Sequence, residues 1–220
     1  MDRHGGSDMK PKRIILVRHG ESEGNAKGFH QGQTNFPLTS KGRDQAEALA
    51  QYWLQEKKSF DKIISSPLLR AFQTAEIIAR HFDLPIEKNP LWMERDAGMV
   101  SGLHHTVAQE KFPQPIFVTP YDPFGINGES QWDVYVRAAK AVQDLLRRPP
   151  ARYLIVSHGG LLDMFMYAIL GIDIQANFCG PHFKLQNTAY LSLLYYSPTH
   201  SWIVEGVDNH PHWQEEEEDD

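Results

Sequence analysis

Ile14-Ile15-Leu16-Val17-Arg18-His19-Gly20-Glu21-Ser22 is the stretch from which the rest of the chain is read. Four consecutive apolar residues, three of them β-branched, predict a short strand buried on both faces, and the polarity then changes at a single residue boundary. An arginine and a histidine therefore stand at the carboxyl end of that strand. In open α/β sheets this end borders the crevice where ligands bind. Gly20 has no Cβ to obstruct a sharp turn or the close approach of a ligand. The triplet recurs as Arg3-His4-Gly5, but with no strand before it and no apolar run after it, and that copy reads as flexible tail.

Working outward, Tyr153-Leu154-Ile155-Val156 repeats the pattern and ends in Ser157-His158-Gly159-Gly160, with an apolar helix starting at once over Leu161 to Leu170. Parallel strands would bring His19 and His158 to the same edge of a sheet. Between them, strand and helix patterns alternate. Thr39 or Ser40 is an N-cap candidate for a helix running to about Lys57, with Ala46, Leu49, Ala50, Trp53 and Leu54 at helical spacing. A strand follows at Phe60 to Ile64. Pro67, at a first helical position, leads into a helix over Leu68 to Phe82. Pro85 to Glu87 reads as a short strand, Glu129 to Arg147 as a helix, and Thr188 to Tyr196 and Trp202 to Val207 as antiparallel strands across Ser197-Pro198-Thr199. The loop Glu23 to Pro37 is too polar and irregular for a buried element. Phe112 to Gly128 is rich in proline and aromatics and belongs to a lid. The alternation predicts a three-layer α/β/α sandwich around a mostly parallel sheet with a small cap or lid insertion. The expected organisation is a flexible tail over 1–11, one domain over 12–213 with the lid at about 104–128, and a disordered acidic tail over 214–220.

The formal charge of −6 comes from Glu215 to Asp220; without that run, 22 acidic groups face 22 basic ones. The body is near neutral, which argues against a nucleic-acid-binding face. Met1 to Arg13 lacks the apolar stretch of a signal peptide. The run Leu161 to Leu170, broken by Asp163, is too short to span a bilayer. A cytoplasmic location is the expectation. Cys179 is the only cysteine, so no disulfide forms within the chain, and a lone thiol of this kind reads as a small apolar filler rather than a nucleophile. An exposed strand edge would allow a dimer, but which strand is at the edge is not legible.

Two histidines, Arg18 and Arg70 make a compact positive site suited to a dianionic phosphoryl group, because guanidinium forks bind its oxygens in pairs. A neutral His19 imidazole is then a nucleophile for phosphorus, its other nitrogen needing an acceptor such as a backbone carbonyl. Glu94, in the Gly-bearing loop Trp92 to Gly98, is the candidate proton donor, although Arg95 beside it leaves a salt-bridge role open.

Arg18-His19-Gly20-Glu21-Ser22 with Asn25, the run Ser65-Ser66-Pro67-Leu68-Leu69-Arg70, the loop Glu94-xxx-Gly98-xxx-Gly102, and Val156-Ser157-His158-Gly159-Gly160 together resemble the histidine phosphatase (phosphoglycerate mutase-like) superfamily, in order and approximate spacing from Lys12 to Val207. The resemblance implies His19 as the phosphorylated nucleophile, and Arg18, Arg70 and His158 as the phosphate pocket. It also implies Glu94 as proton donor and later base, Asn25 as a phosphate contact, and Gln31 and Gly32 at the substrate entrance. It implies no metal and no cofactor. Asn35 stands where relatives usually carry Asp, at a position that looks structural. The mutases of the group read Glu-Arg-His-Tyr-Gly where this chain reads Glu94-Arg95-Asp96-Ala97-Gly98, and they carry a longer, more basic insertion. Both departures favour a phosphatase of small phosphomonoesters. A mutase-type phosphotransferase and a catalytically silent phosphate-binding module are the alternatives. Phe112, Phe117, Tyr121 and Phe124 either pack the lid or meet an apolar part of the ester. His104 and His105 either meet substrate or are incidental, and His210 with His212 makes only a weak metal motif.

Overall fold

A computed structural model describes residues 10–208 and 211–213. The segments 1–9 and 214–220, read above as tails, and His210 lie outside the described residues. Among the described residues six strands form one mixed sheet: β1 (Lys12–Arg18), β2 (Lys62–Ser65), β3 (Ile86–Lys88), β4 (Arg152–Ser157), β5 (Tyr190–Tyr196) and β6 (Ser201–Asp208). Their order is β3-β2-β4-β1-β5-β6, so β3 and β6 are the edges. The first four run parallel, and β5 and β6 extend the sheet antiparallel. Parallel neighbours need long crossovers, which the helices supply, whereas β5 and β6 are joined by the short 3-10 turn Ser197–Thr199.

The helices among the described residues are α1 (Glu23–Ala26), α2 (Ser40–Gln55), α3 (Leu69–Phe82), α4 (His105–Lys111), α5 (Gln131–Arg147) and α6 (Gly159–Leu170). One face of the sheet, through Ile14, Leu16, Ile155 and Leu191, packs on α5 and α6. The other, through Val17, Ile63, Leu154 and Val156, packs on α2 and α3, where Trp53 is fully buried. These are the three layers. No helix among the described residues is long and apolar enough to cross a membrane.

Several local expectations are corrected. The run Ile14 to Val17 is not buried on both faces throughout: Ile15 is half-buried, beside a concavity at the amino ends of β1 and β4. Pro67 lies before the α3 N-cap, Leu68, rather than at the first helical position. Helix α5 starts after Ser130, whose hydroxyl and Asp133 cap each other reciprocally, two residues later than hydropathy suggests. The polar loop 23–37 contains the single turn α1, capped by Ser22. Cys179 is exposed, so it fills no core. Thr39 is the α2 N-cap, its hydroxyl accepting the Gly42 N–H.

Candidate active site

The register of β1 on β4 sets Arg18 opposite Ser157, so the next residues, His19 and His158, leave adjacent parallel strands at one level. Their ring centroids are 5.1 Å apart, and both side chains are buried. His19 Nδ1 lies 2.7 Å from the Gly20 carbonyl, which only accepts, so the proton sits on Nδ1 and the lone pair on Nε2. The Nε–H of Arg70 donates to that lone pair at 3.2 Å. Burial, reinforced by Arg70 and Arg18 and opposed by the Gly20 bond, holds the His19 imidazole well below the usual histidine range, hence neutral. Burial and the nearby Arg70 do the same to His158.

His158 caps α6. Its Nε2 stands 2.8 Å from Ser66 Oγ, which also receives the Leu68 N–H, and its Nδ1 is buried with no hydrogen-bond partner. Arg70 is anchored through Nη1 and Nη2 to the carbonyls of Thr34 and Gly32. Its pKa is lowered to about 10 by burial and remains above any working pH. Arg18 donates from Nη1 to the Leu185 carbonyl at 2.7 Å, and its Nε is buried without a partner. Two buried nitrogens without partners beside the amino end of α6 suit the oxygens of an anion.

Glu94 faces this group from the loop after the 3-10 turn Pro90–Trp92. Its Oε1 accepts the Arg95 N–H at 2.8 Å, and its Oε2 accepts the Gly160 N–H at 3.1 Å. A Cβ on Gly160 would meet Oε1 at 2.6 Å, so only glycine admits the carboxyl there. Gly20 is also required, for a reason other than the one its sequence suggests: a Cβ would strike the Gly42 carbonyl at 2.4 Å, where α2 approaches, rather than a ligand.

Arg18, His19, Gln31, Gly32, Arg70 and Glu94 line one cleft of about 340 Å³ with His30, Arg95 and Phe124. His158 stands beside His19, fully buried, and is not part of the cleft wall. Asn25 is not on the cleft wall: its Oδ1 accepts from the N–H and hydroxyl of Ser22 and from Asn187, because the start of α1 needs that cap. Gln31 Oε1 lies 2.6 Å from the Ser22 hydroxyl and shares its one proton with Asn25 Oδ1. Asn35 receives the Leu69 N–H and so holds the start of α3. His104 caps α4 and His105 bonds the Gly28 carbonyl, both away from the cleft, while of the lid aromatics only Phe124 reaches it. A second concavity, at the opposite ends of β1 and β4, borders neither histidine.

Three supporting residues have no sequence signal. Arg137 donates to the Met93 carbonyl, to Glu94 O at 3.1 Å and to both Glu129 oxygens, and so holds the Glu94 loop. Asn187 Nδ2 donates to the His19 carbonyl at 2.9 Å, and Thr188 N–H donates to Arg18 O at 3.0 Å. Thr188 does so with φ at 61°, a strained value for a β-branched residue.

These features define an α/β protein that holds a lone-pair-bearing imidazole among guanidiniums at the carboxyl ends of two parallel strands, opposite a carboxyl group. The chain belongs to the histidine phosphatase superfamily (branch 1), whose family model matches residues 14–209. It is 34% identical over 167 residues to phosphoserine phosphatase 1 of Hydrogenobacter thermophilus, covering 74% of this chain and 78% of that protein. It is equally 34% identical over 200 residues to the probable phosphoglycerate mutase GpmB of an Enterobacter species, covering 88% and 91%. Among solved structures, phosphoserine phosphatase of Entamoeba histolytica in complex with 3-phosphoglyceric acid superposes with a TM-score of 0.72 at 27% identity, covering 91% of this chain and 98% of that one.

Proposed function

We propose that this protein is a phosphatase that hydrolyses small phosphomonoesters through a phosphohistidine intermediate, without a metal. The observation that carries the reading is the His19 tautomer: the Gly20 carbonyl keeps the proton on Nδ1, and Nε2 presents its lone pair among the phosphate-binding groups. In the first step Nε2 attacks phosphorus in line, forming the N–P bond as the bond to the ester oxygen breaks. The carboxylic acid of Glu94 gives its proton to the departing alkoxide. In the second step the Glu94 carboxylate takes a proton from water, whose oxygen displaces His19 from phosphorus and releases inorganic phosphate. Arg18, Arg70 and the unpartnered His158 Nδ1 hold the phosphoryl oxygens in both steps. Two guanidiniums supply the positive charge that a metal would otherwise bring. Gln31 and Gly32 border the entrance, and Asn25 acts through Ser22 and the α1 turn.

Glu94→Gln tests this directly. Turnover of alkyl phosphates should fall about 100-fold or more, while p-nitrophenyl phosphate, whose leaving group needs little protonation, should lose far less. Equal losses on both would reduce Glu94 to a binding or structural role. The relatives named as mutases support a second reading, bisphosphate-dependent phosphoryl transfer. It predicts isomerisation of 3-phosphoglycerate only after priming with 2,3-bisphosphoglycerate, with little phosphate release.

A further inference from the structure

We propose that the alcohol half of the substrate is seated in a second pocket opening off the phosphoryl cleft, and that this alcohol carries an apolar body the size of an aromatic ring with a hydrogen-bond acceptor at its rim. The proposal rests on the phosphatase reading above and deepens it.

The second pocket, about 270 Å³, shares Arg95 and Gly160 with the cleft. The shared wall is also where the proton donor sits, because Glu94 Oε2 accepts the Gly160 N–H at 3.1 Å. An ester oxygen protonated by Glu94 must lie against that carboxyl, so the carbon attached to it is directed towards the pocket. Val134, Met164 and Phe178 make its walls apolar. A cavity of about 150 Å³ already accepts a benzene ring. The three-carbon skeleton of a phosphorylated hydroxy acid would leave most of this one empty.

Four polar side chains border the apolar walls: Asp163 and His182, which are bonded to each other, and Gln131 and Arg95. Gln131 is 5% exposed, and its carboxamide makes no hydrogen bond to another described residue. Arg95 stacks its guanidinium 3.9 Å over the Phe124 ring, with Phe178 at 5.4 Å, and likewise makes no side-chain hydrogen bond or ion pair among the described residues. Stacking occupies the faces of the guanidinium and leaves its edge N–H donors for an acceptor on the ligand.

The Phe178 wall is built rather than loose. Asn177 exchanges hydrogen bonds with Val118, its N–H donating to the carbonyl at 2.8 Å and its Oδ1 accepting at 2.7 Å. His182 spans Asp163 Oδ2 at 3.0 Å and the Phe178 carbonyl at 3.1 Å. Asn177 and Phe178 are held at φ of 56° and 53°, a left-handed pair without glycine that these contacts impose.

The test compares kcat/KM for ethyl phosphate, phosphoserine and 2-phenylethyl phosphate, the first and last having leaving groups of closely similar basicity. The phenylethyl ester should exceed ethyl phosphate by at least about ten-fold. Phe178→Ala should cut that ratio to about two-fold or less, and Phe178→Leu, which keeps most of the apolar wall, should restore the larger part of it. Equal kcat/KM for the two esters, or a ratio that Phe178→Ala does not move, overturns the pocket assignment while leaving the phosphatase standing. Phosphate release from none of the esters overturns the phosphatase reading and this one with it.

Discussion

At the scale of single residues, a buried imidazole is useful as a nucleophile only if something keeps it neutral and turned the right way. For His19 the Gly20 carbonyl sets the orientation, and burial beside Arg70 and Arg18 keeps the ring neutral. His19→Ala should therefore abolish turnover and leave the circular dichroism spectrum unchanged; normal activity in that variant would end the nucleophile assignment. The protonation states are measurable in the ligand-free protein by histidine NMR. Between pH 8 and 6, His19 and His158 should stay neutral single tautomers. His182, whose pKa is raised by its hydrogen bond to Asp163, should remain protonated above the ordinary histidine value. A His19 resonance titrating near 6.5 would remove the electrostatic half of this account. Both histidines are legible in the sequence because each follows a run of buried-strand residues at a sharp change of polarity. The Ser66 bond to His158 is not, because a serine before a proline reads equally well as ordinary turn chemistry.

At the scale of elements, the proposed catalytic groups are held by contacts that local patterns do not encode. The strands β1 and β4 and the helices α2, α3 and α6 are written in hydrophobic periodicity, which survives in any single sequence. Arg137 is different: its partners on the Glu94 loop are main-chain carbonyls 43 to 46 residues away, and a carbonyl is the same whatever the side chain. The α5 pattern therefore marks Arg137 only as one more polar residue on a helix. The concavity that half-exposes Ile15 is hidden in the same way, since it follows from where neighbouring helices end. Arg137→Met should leave the Met93 carbonyl without its donor, the Glu94 carbonyl with Gln33 Nε2 alone and Glu129 with the Asp96 N–H alone. It should cost about 2 kcal/mol, discounted for the partial exposure of the pair. It should also lower turnover of alkyl phosphates more than that of p-nitrophenyl phosphate, because the displaced group is the proposed acid. Urea midpoints and the two substrates read these effects separately, and a loss of stability with no shift in the substrate ratio would confine Arg137 to the fold.

At the scale of the whole molecule, placing two neutral histidines and two guanidiniums in the interior makes folding sensitive to acid. The unfolded chain protonates His19 and His158 near 6.5, and the folded chain only well below that value. Between those limits the unfolded state binds more protons, so stability rises with pH and falls as pH drops below about 6.5. Each group contributes at most about 1.4 kcal/mol per pH unit, so the pair sets a limiting slope of about 3 kcal/mol per unit. His182 acts with the opposite sign. Its folded pKa is raised, so its contribution is present below 6.5 and is lost as pH rises through the raised value, but its ring is exposed enough for solvent to screen most of it. Asp61, lowered to about 2 by Arg152, adds to the acid loss at still lower pH and is likewise screened at the surface. The net expectation is a urea midpoint that declines from pH 7 to 5, with about half that decline abolished in His19→Ala. Inorganic phosphate should raise the midpoint at pH 7 in the parent chain, because a ligand bound only by the folded state stabilises it by mass action. A midpoint independent of pH across this range, in both proteins, would mean that the two histidines are solvated and that the site is not the charge-lined cleft on which the proposed chemistry depends.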